Sequence, residues 1–144
     1  MPTVCLYVDD LLCTCSDQAD LAWVESSLTD KYKHLTAHDG VVHYYLGQRF
    51  NFSDPGYCHV SMNEYVSDAL SEYGVSGLAK TPAGENLFYP IDNEDILSKS
   101  DMAIYHSRVA KLLYLALRAR PDILLAVNCL ASRVTKCTPG DWRN

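Results

Sequence analysis

Near the start of the chain stands Val4-Cys-Leu-Tyr-Val-Asp-Asp-Leu-Leu-Cys-Thr-Cys15, two apolar runs of strand length with adjacent aspartates between them. Residues 3–7 and 11–15 are β-branched or apolar, and Val8-Asp9-Asp10 has turn character, so the segment reads as a β-hairpin. Neighbouring carboxylates repel and are costly to desolvate, so folding alone does not favour them there. A divalent cation would compensate the repulsion, and oxygen-only ligands suit Mg²⁺ or Mn²⁺ better than zinc. A pair of aspartates is also a common solvated turn, and two carboxylates are fewer than a two-metal site needs. Asp17, Asp20 and Asp39 are the nearby acids, and spacing nominates none of them as the third.

Working outward, Ser16 and Asp17 offer helix caps, and Leu21, Val24, Leu28 and Tyr32 follow at the spacing of an amphipathic helix of about four turns. Two strands, Val42–Phe52 and Tyr57–Val60, are expected next, joined by the turn Ser53-Asp-Pro-Gly56. Ser61-Met-Asn-Glu64 has the form of a capping box. The helix it opens carries Tyr65, Val66, Ala69, Leu70 and Tyr73 on one face and stops at Gly74. Residues 75–100, with Gly77, Thr81-Pro-Ala-Gly84 and Pro90, have no sustained period and read as a long surface connection. The helical period returns at Asp101, with the stripe Val109, Leu112, Leu113, Ala116 and Leu117. Arg120-Pro121-Asp122 breaks the chain before a second stripe, Ile123, Ala126, Val127, Leu130 and Val134. Thr138-Pro-Gly-Asp141 has the form of another helix start.

The 144 residues suffice for one ordinary domain with a real core, and 48% hydrophobic against 21% charged residues is a globular composition. No run approaches the ~18 apolar residues of a membrane span, and no signal-peptide pattern opens the chain. An intracellular location, cytoplasmic or nuclear, is therefore expected. The six cysteines, Cys5, Cys13, Cys15, Cys58, Cys129 and Cys137, form no C-x-x-C pair and read as small buried apolar residues in a reducing compartment. His34 and His38 are spaced as a helical pair without a third zinc ligand. The net charge of −6 divides unevenly, −10 over residues 1–100 and +4 over residues 101–144. The basic C-terminal third is suited either to phosphates or to solvated helical faces.

Leu6-Tyr-Val-Asp-Asp-Leu-Leu12 resembles the Y-x-D-D catalytic hairpin of reverse transcriptases. Further blocks resemble the copia (Ty1) class of retrotransposon polyproteins. They are His43-Tyr-Tyr-Leu-Gly47, the turn Ser53–Gly56 with Val60-Ser-Met-Asn-Glu-Tyr65, Val109–Leu115, Arg118-Ala-Arg-Pro-Asp-Ile123 with Ala126-Val127, and Trp142. The resemblance implies an α+β fold: a partial reverse-transcriptase palm over residues 1–60, made of the YVDD hairpin, a helix and a primer-grip-like strand pair. A helical thumb-like region would follow over 61–144, with the long connection 75–100 inside it. It implies that Asp9 and Asp10 are catalytic and hold Mg²⁺ or Mn²⁺ once the active site is complete, that Tyr7 and Val8 shape the pocket, and that Tyr45, Leu46 and Gly47 form the primer grip. Template–primer RNA and DNA would be the partners. Arg108, Lys111, Arg118, Arg120, Arg133 and Lys136 are the candidate nucleic-acid contacts, with Arg118 and Arg120 equally suited to capping the preceding helix. Lys31 or Lys33 stands where the family keeps a lysine near the incoming pyrophosphate. The family's other metal-binding aspartate and its fingers would lie upstream of Met1, and its RNase H segment beyond Trp142. The expectation is therefore a palm–thumb fragment of an RNA-directed DNA polymerase, inactive alone and self-associating through an exposed palm edge. The alternative is an inactive retrotransposon relic that binds nucleic acid or protein.

Overall fold

A computed structural model describes residues 1–89 and 95–143; the expected break at Pro90 lies outside these. The fold is α+β, and the chain divides into two compact units, Met1–Ser61 and Met62–Asn144. No helix among the described residues is long and apolar enough to cross a membrane.

In the first unit, strands β1 (Thr3–Tyr7) and β2 (Asp10–Thr14) pair antiparallel, with Tyr7 opposite Asp10. The turn is therefore only Val8-Asp9, and Asp10 already belongs to the second strand. Helix α1 (Gln18–Tyr32) starts where Asp17 accepts the Ala19 amide at 2.9 Å, and Lys33 ends it in the left-handed conformation. Leu21, Val24 and Leu28 are half-buried along it, whereas Tyr32 is exposed. His34 and His38 follow the helix in irregular chain and form no helical pair.

The strand expected over Val42–Phe52 is instead a hairpin, β3 (Val42–Tyr45) and β4 (Gln48–Asn51), turning at Leu46-Gly47. Both turn residues have positive φ, 51° and 71°, the sign pattern of a type I′ turn, whose twist matches the strands it joins. The turn expected at Ser53–Gly56 closes one residue later, over Asp54–Tyr57: Pro55 presets φ, Gly56 takes φ 82°, and the Tyr57 amide donates to the Asp54 carbonyl at 3.1 Å. The strand after it, β5 (His59–Ser61), pairs with β4 and lies two residues later than expected at its start. No described residue of this unit is fully buried.

The second unit has a core. Helix α2 (Asn63–Tyr73) begins at Met62 without a side-chain cap, so the expected Ser61 capping box does not form; Ser61 ends β5 instead. Its far end is the expected one: Gly74 is left-handed, and the Val75 amide reaches back to the Leu70 carbonyl at 3.1 Å. Tyr65 and Tyr73 donate their hydroxyls to the Lys111 and Arg108 carbonyls of α3 (Lys99–Arg118), seating α2 on α3. Helix α3 buries Tyr105, Val109, Leu115 and Ala116; the expected Leu117 faces solvent, and Leu115 takes its place in the interior. A 3₁₀ turn, Pro121–Ile123, leads into α4 (Leu124–Ala131), which buries Ala126, Val127 and Leu130.

The connection expected to wrap the surface also supplies a core residue. A 3₁₀ turn at Glu85–Phe88 inserts Leu87, wholly inaccessible to solvent, among Tyr105, Val109, Val127 and Leu130. Thr138-Pro-Gly-Asp141 does start a helix, α5 (Pro139–Arg143). Thr138 and Asp141 exchange hydrogen bonds, Asp141 amide to Thr138 Oγ1 at 3.3 Å and Thr138 amide to Asp141 Oδ2 at 3.0 Å. That is a capping box with aspartate in the place of glutamate.

Candidate active-site hairpin

A two-residue hairpin loop holds its flanking residues as a narrow, doubly hydrogen-bonded pair. Here that pair is Tyr7 and Asp10, which fixes Asp10 on the same face of the ribbon as Tyr7 and leaves Asp9 at the tip. Both aspartates are exposed, and among the described residues no hydrogen bond or ion pair engages either carboxylate. They are hard oxygen donors, carried by a short turn and not spent on the protein. That suits a divalent cation, although no group of three metal-binding side chains occurs among the described residues.

The turn holds a β-branched residue where glycine is preferred. Val8 has φ 54° and is 81% exposed, so nothing packed around its side chain offsets the strain. With φ positive at the first central residue only, the loop has the sign pattern of a type II′ turn, in which that residue is typically glycine. Val8→Gly should stabilise the hairpin by about 1 kcal/mol, slowing amide exchange at Cys5 and Leu12 about fivefold. Unchanged or faster exchange would show that the turn is not strained.

The second hairpin lies against the first. Strand β3, which ends at Tyr45, packs beside β2. The Tyr45 phenol is pushed up, first by desolvation and then by the negative charges of Cys5 and Asp10. Leu46 and Gly47 form the turn that follows Tyr45. Burial, then Cys5 and Cys15, raises the Cys13 thiol, and all six cysteines are free; they are not the buried set expected, since Cys137 is buried but Cys5 and Cys58 are exposed and Cys13, Cys15 and Cys129 are half-buried. Lys31 sits 5.4 Å from the Tyr32 ring centre, and Lys33 caps α1; both are at the C-terminal end of that helix.

The candidate cations of the second unit fall into two groups. Lys111 pairs with Glu72, Arg120 holds Asp122 through two hydrogen bonds of 2.8 and 2.7 Å, and Arg133 pairs with Asp141 at 2.7 Å. Hydrogen bonding to Arg120 lowers the Asp122 carboxyl and raises the Arg120 guanidinium. The other three make no ion pair among the described residues. Arg108 lies between the rings of Tyr73 and Trp142, at 4.8 and 5.0 Å; Arg118 stacks on Tyr114 at 3.8 Å; Lys136 is exposed. An arginine on an aromatic face keeps its charge available while its plane is held in one orientation. Arg118 occupies the last position of α3, where a cation also meets the negative end of the helix dipole.

Among known proteins, the chain is 29% identical over 130 residues to a Saccharomyces cerevisiae protein named for transposon Ty5-1. The match covers 89% of this chain and 41% of the relative, so the chain spans about two fifths of that protein's length. The similarity supports a transposon origin. No protein-family model matches the chain, and no solved structure matches it.

Proposed function

We propose that this chain is the palm-to-thumb portion of a reverse transcriptase of copia (Ty1)-type retrotransposons, an RNA-directed DNA polymerase whose full-length form performs nucleotidyl transfer. The observation that carries the reading is the adjacent pair Asp9, at the tip of a two-residue hairpin turn, and Asp10, the first residue of β2, with a second hairpin packed against that strand. The transposon relative supports the same reading. In it, Asp9 and Asp10 hold Mg²⁺ or Mn²⁺. When bound, the cations neutralise charge on the reacting phosphates. Tyr7 and Val8 shape the floor beside them, and Tyr45, Leu46 and Gly47 position the primer end. Arg108, Arg118 and Lys136, the candidate cations not paired with a carboxylate among the described residues, meet backbone phosphates.

A second reading, a binding module without catalysis, draws on a specific observation: no third acid joins the pair among the described residues. Both readings expect no primer extension by these residues alone. They differ at the hairpin. With a labelled RNA·DNA primer–template and Mn²⁺, the polymerase reading expects a photoreactive primer 3′ end to cross-link within β1–β4. Crosslinks confined to α3–α5 would favour the plain binding module. Three phosphate contacts would give a log–log salt slope of about −3, and Arg118→Ala would remove about 1 from it. Absence of measurable duplex binding would overturn the polymerase reading and the nucleic-acid form of the second.

A further inference from the structure

We infer that the outer edge of β1 is a self-recognition surface, pairing antiparallel with the same strand of a second copy about a two-fold axis at Cys5. This rests on the hairpin geometry and not on the polymerase reading. Among the described residues, strand β1 pairs with β2 on one side only, and all five of its residues are exposed. It carries none of the usual protections of an edge. Thr3-Val-Cys-Leu-Tyr7 has no charge, no proline and no bulge, and its residues favour β-structure.

The hairpin fixes which backbone groups are available. Tyr7 and Asp10 form the narrow pair, so Tyr7, Cys5 and Thr3 direct their N–H and C=O groups toward β2. Val4 and Leu6 direct theirs outward. An antiparallel partner must therefore bond through Val4 and Leu6. Centring the axis on Cys5 sets Val4 of each copy against Leu6 of the other and completes four main-chain hydrogen bonds. Thr3 then faces Tyr7, and Cys5 faces Cys5 of the second copy. Moving the axis to Val4 would draw in Pro2, and moving it to Leu6 would draw in the turn residue Val8. Only the Cys5 register uses the whole strand and nothing else.

The side chains are self-complementary in that register. Val4 and Leu6 share a face with Cys13 and Leu11, so the apolar stripe would continue across four strands. No charged side chain is brought against its own copy. Cys5 would occupy a non-hydrogen-bonded pair, where Cα atoms lie about 4.5 Å apart, inside the range a disulfide spans. The area of one strand edge is small beside a standard interface of ~1,600 Å², so the association should be weak and concentration-dependent, and trappable by oxidation.

The test is sedimentation of the 144-residue chain across a concentration series, with diamide oxidation and mass-spectrometric mapping of the crosslink. The expected result is a reversible dimer trapped by a Cys5–Cys5 disulfide. Leu6→Pro removes a donor used only outward, so it should lower dimer affinity about tenfold or more while β1 still pairs with β2. Wild-type hydrogen exchange provides a readout without substitution: the Val4 and Leu6 amides should gain protection as concentration rises, and the Cys5 amide should not. A monomer at every concentration, a dimer crosslinked only through the exposed Cys58, or unchanged Val4 and Leu6 exchange in the dimer would overturn the inference.

Discussion

Arg133→Met should destabilise the second unit by about 3 kcal/mol at neutral pH, because it leaves a buried carboxylate without its cation. Asp141 is 7% exposed and Arg133 19%, and their 2.7 Å contact is reinforced by the Thr138 amide and hydroxyl, which donate to the same carboxylate at 3.0 and 3.1 Å. Burial alone would push the Asp141 carboxyl up. The Arg133 and Thr138 hydrogen bonds outweigh it, and the folded carboxyl sits below its ordinary range. A depressed carboxyl contributes stability that is fully present above the unfolded value near 3.9 and is lost as pH falls through the folded value. In Arg133→Met the carboxyl loses the cation that holds it down and rises from its wild-type value, so protonation relieves the penalty at higher pH than in the wild type. The difference between wild type and variant, read from urea denaturation, should therefore be largest near pH 7, begin to shrink as pH falls through the variant's carboxyl range, and go on shrinking until the wild-type carboxyl is protonated too. A difference that stays constant across that range would show that Arg133 acts through packing alone.

Leu87→Ala should cost about 3 kcal/mol, from the middle of the range for emptied leucine sites. Leu87 is wholly inaccessible, and it enters the helical core from a 3₁₀ turn of four residues, Glu85–Phe88. The Leu87 carbonyl also accepts from the Cys129 thiol at 3.6 Å. Because the cost includes a cavity, Leu87→Met should recover most of it. A loss under about 1 kcal/mol in thermal or urea unfolding would mean that the connection contributes little to the core.

These two residues also mark where the sequence was hard to read. The loop around Leu87 has no hydrophobic period because a single side chain, not a face, makes the contact. Arg133 and Asp141 were legible only in part: Thr138-Pro-Gly-Asp141 announced a helix start, but a cation eight residues upstream left no local signal. Short-range chemistry was the most readable. Asp54-Pro-Gly-Tyr57 closes as its residue types require, as do the Asp17 cap and the Gly74 stop. Ser61-Met-Asn-Glu64 had the form of a cap, yet pairing of Ser61 with Arg49 in the sheet took the residue the cap needed.

The candidate site was readable for related reasons. Two apolar runs flanking Asp9 and Asp10 set the hairpin. The strain at Val8 was not foreseeable, since a β-branched residue disfavours positive φ. Tyr45, Leu46 and Gly47 were singled out, but their turn was hidden inside an apparent strand; leucine at the first position of a type I′ turn lacks the usual asparagine or aspartate signal. Of the six cations, sequence gave the charge and not the partner. Glu72 lies 39 residues from Lys111.

The proposal most directly open to test is that Asp9 and Asp10 supply part of a site for a hard divalent cation, and Mn²⁺ titration followed by amide resonance broadening, which registers even weak binding at an incomplete site, tests it. Broadening should centre on Val8, Asp9 and Asp10, reach Tyr45, and be lost at that site in Asp9→Asn combined with Asp10→Asn. Broadening centred on other acids, with the hairpin resonances unchanged, would contradict it.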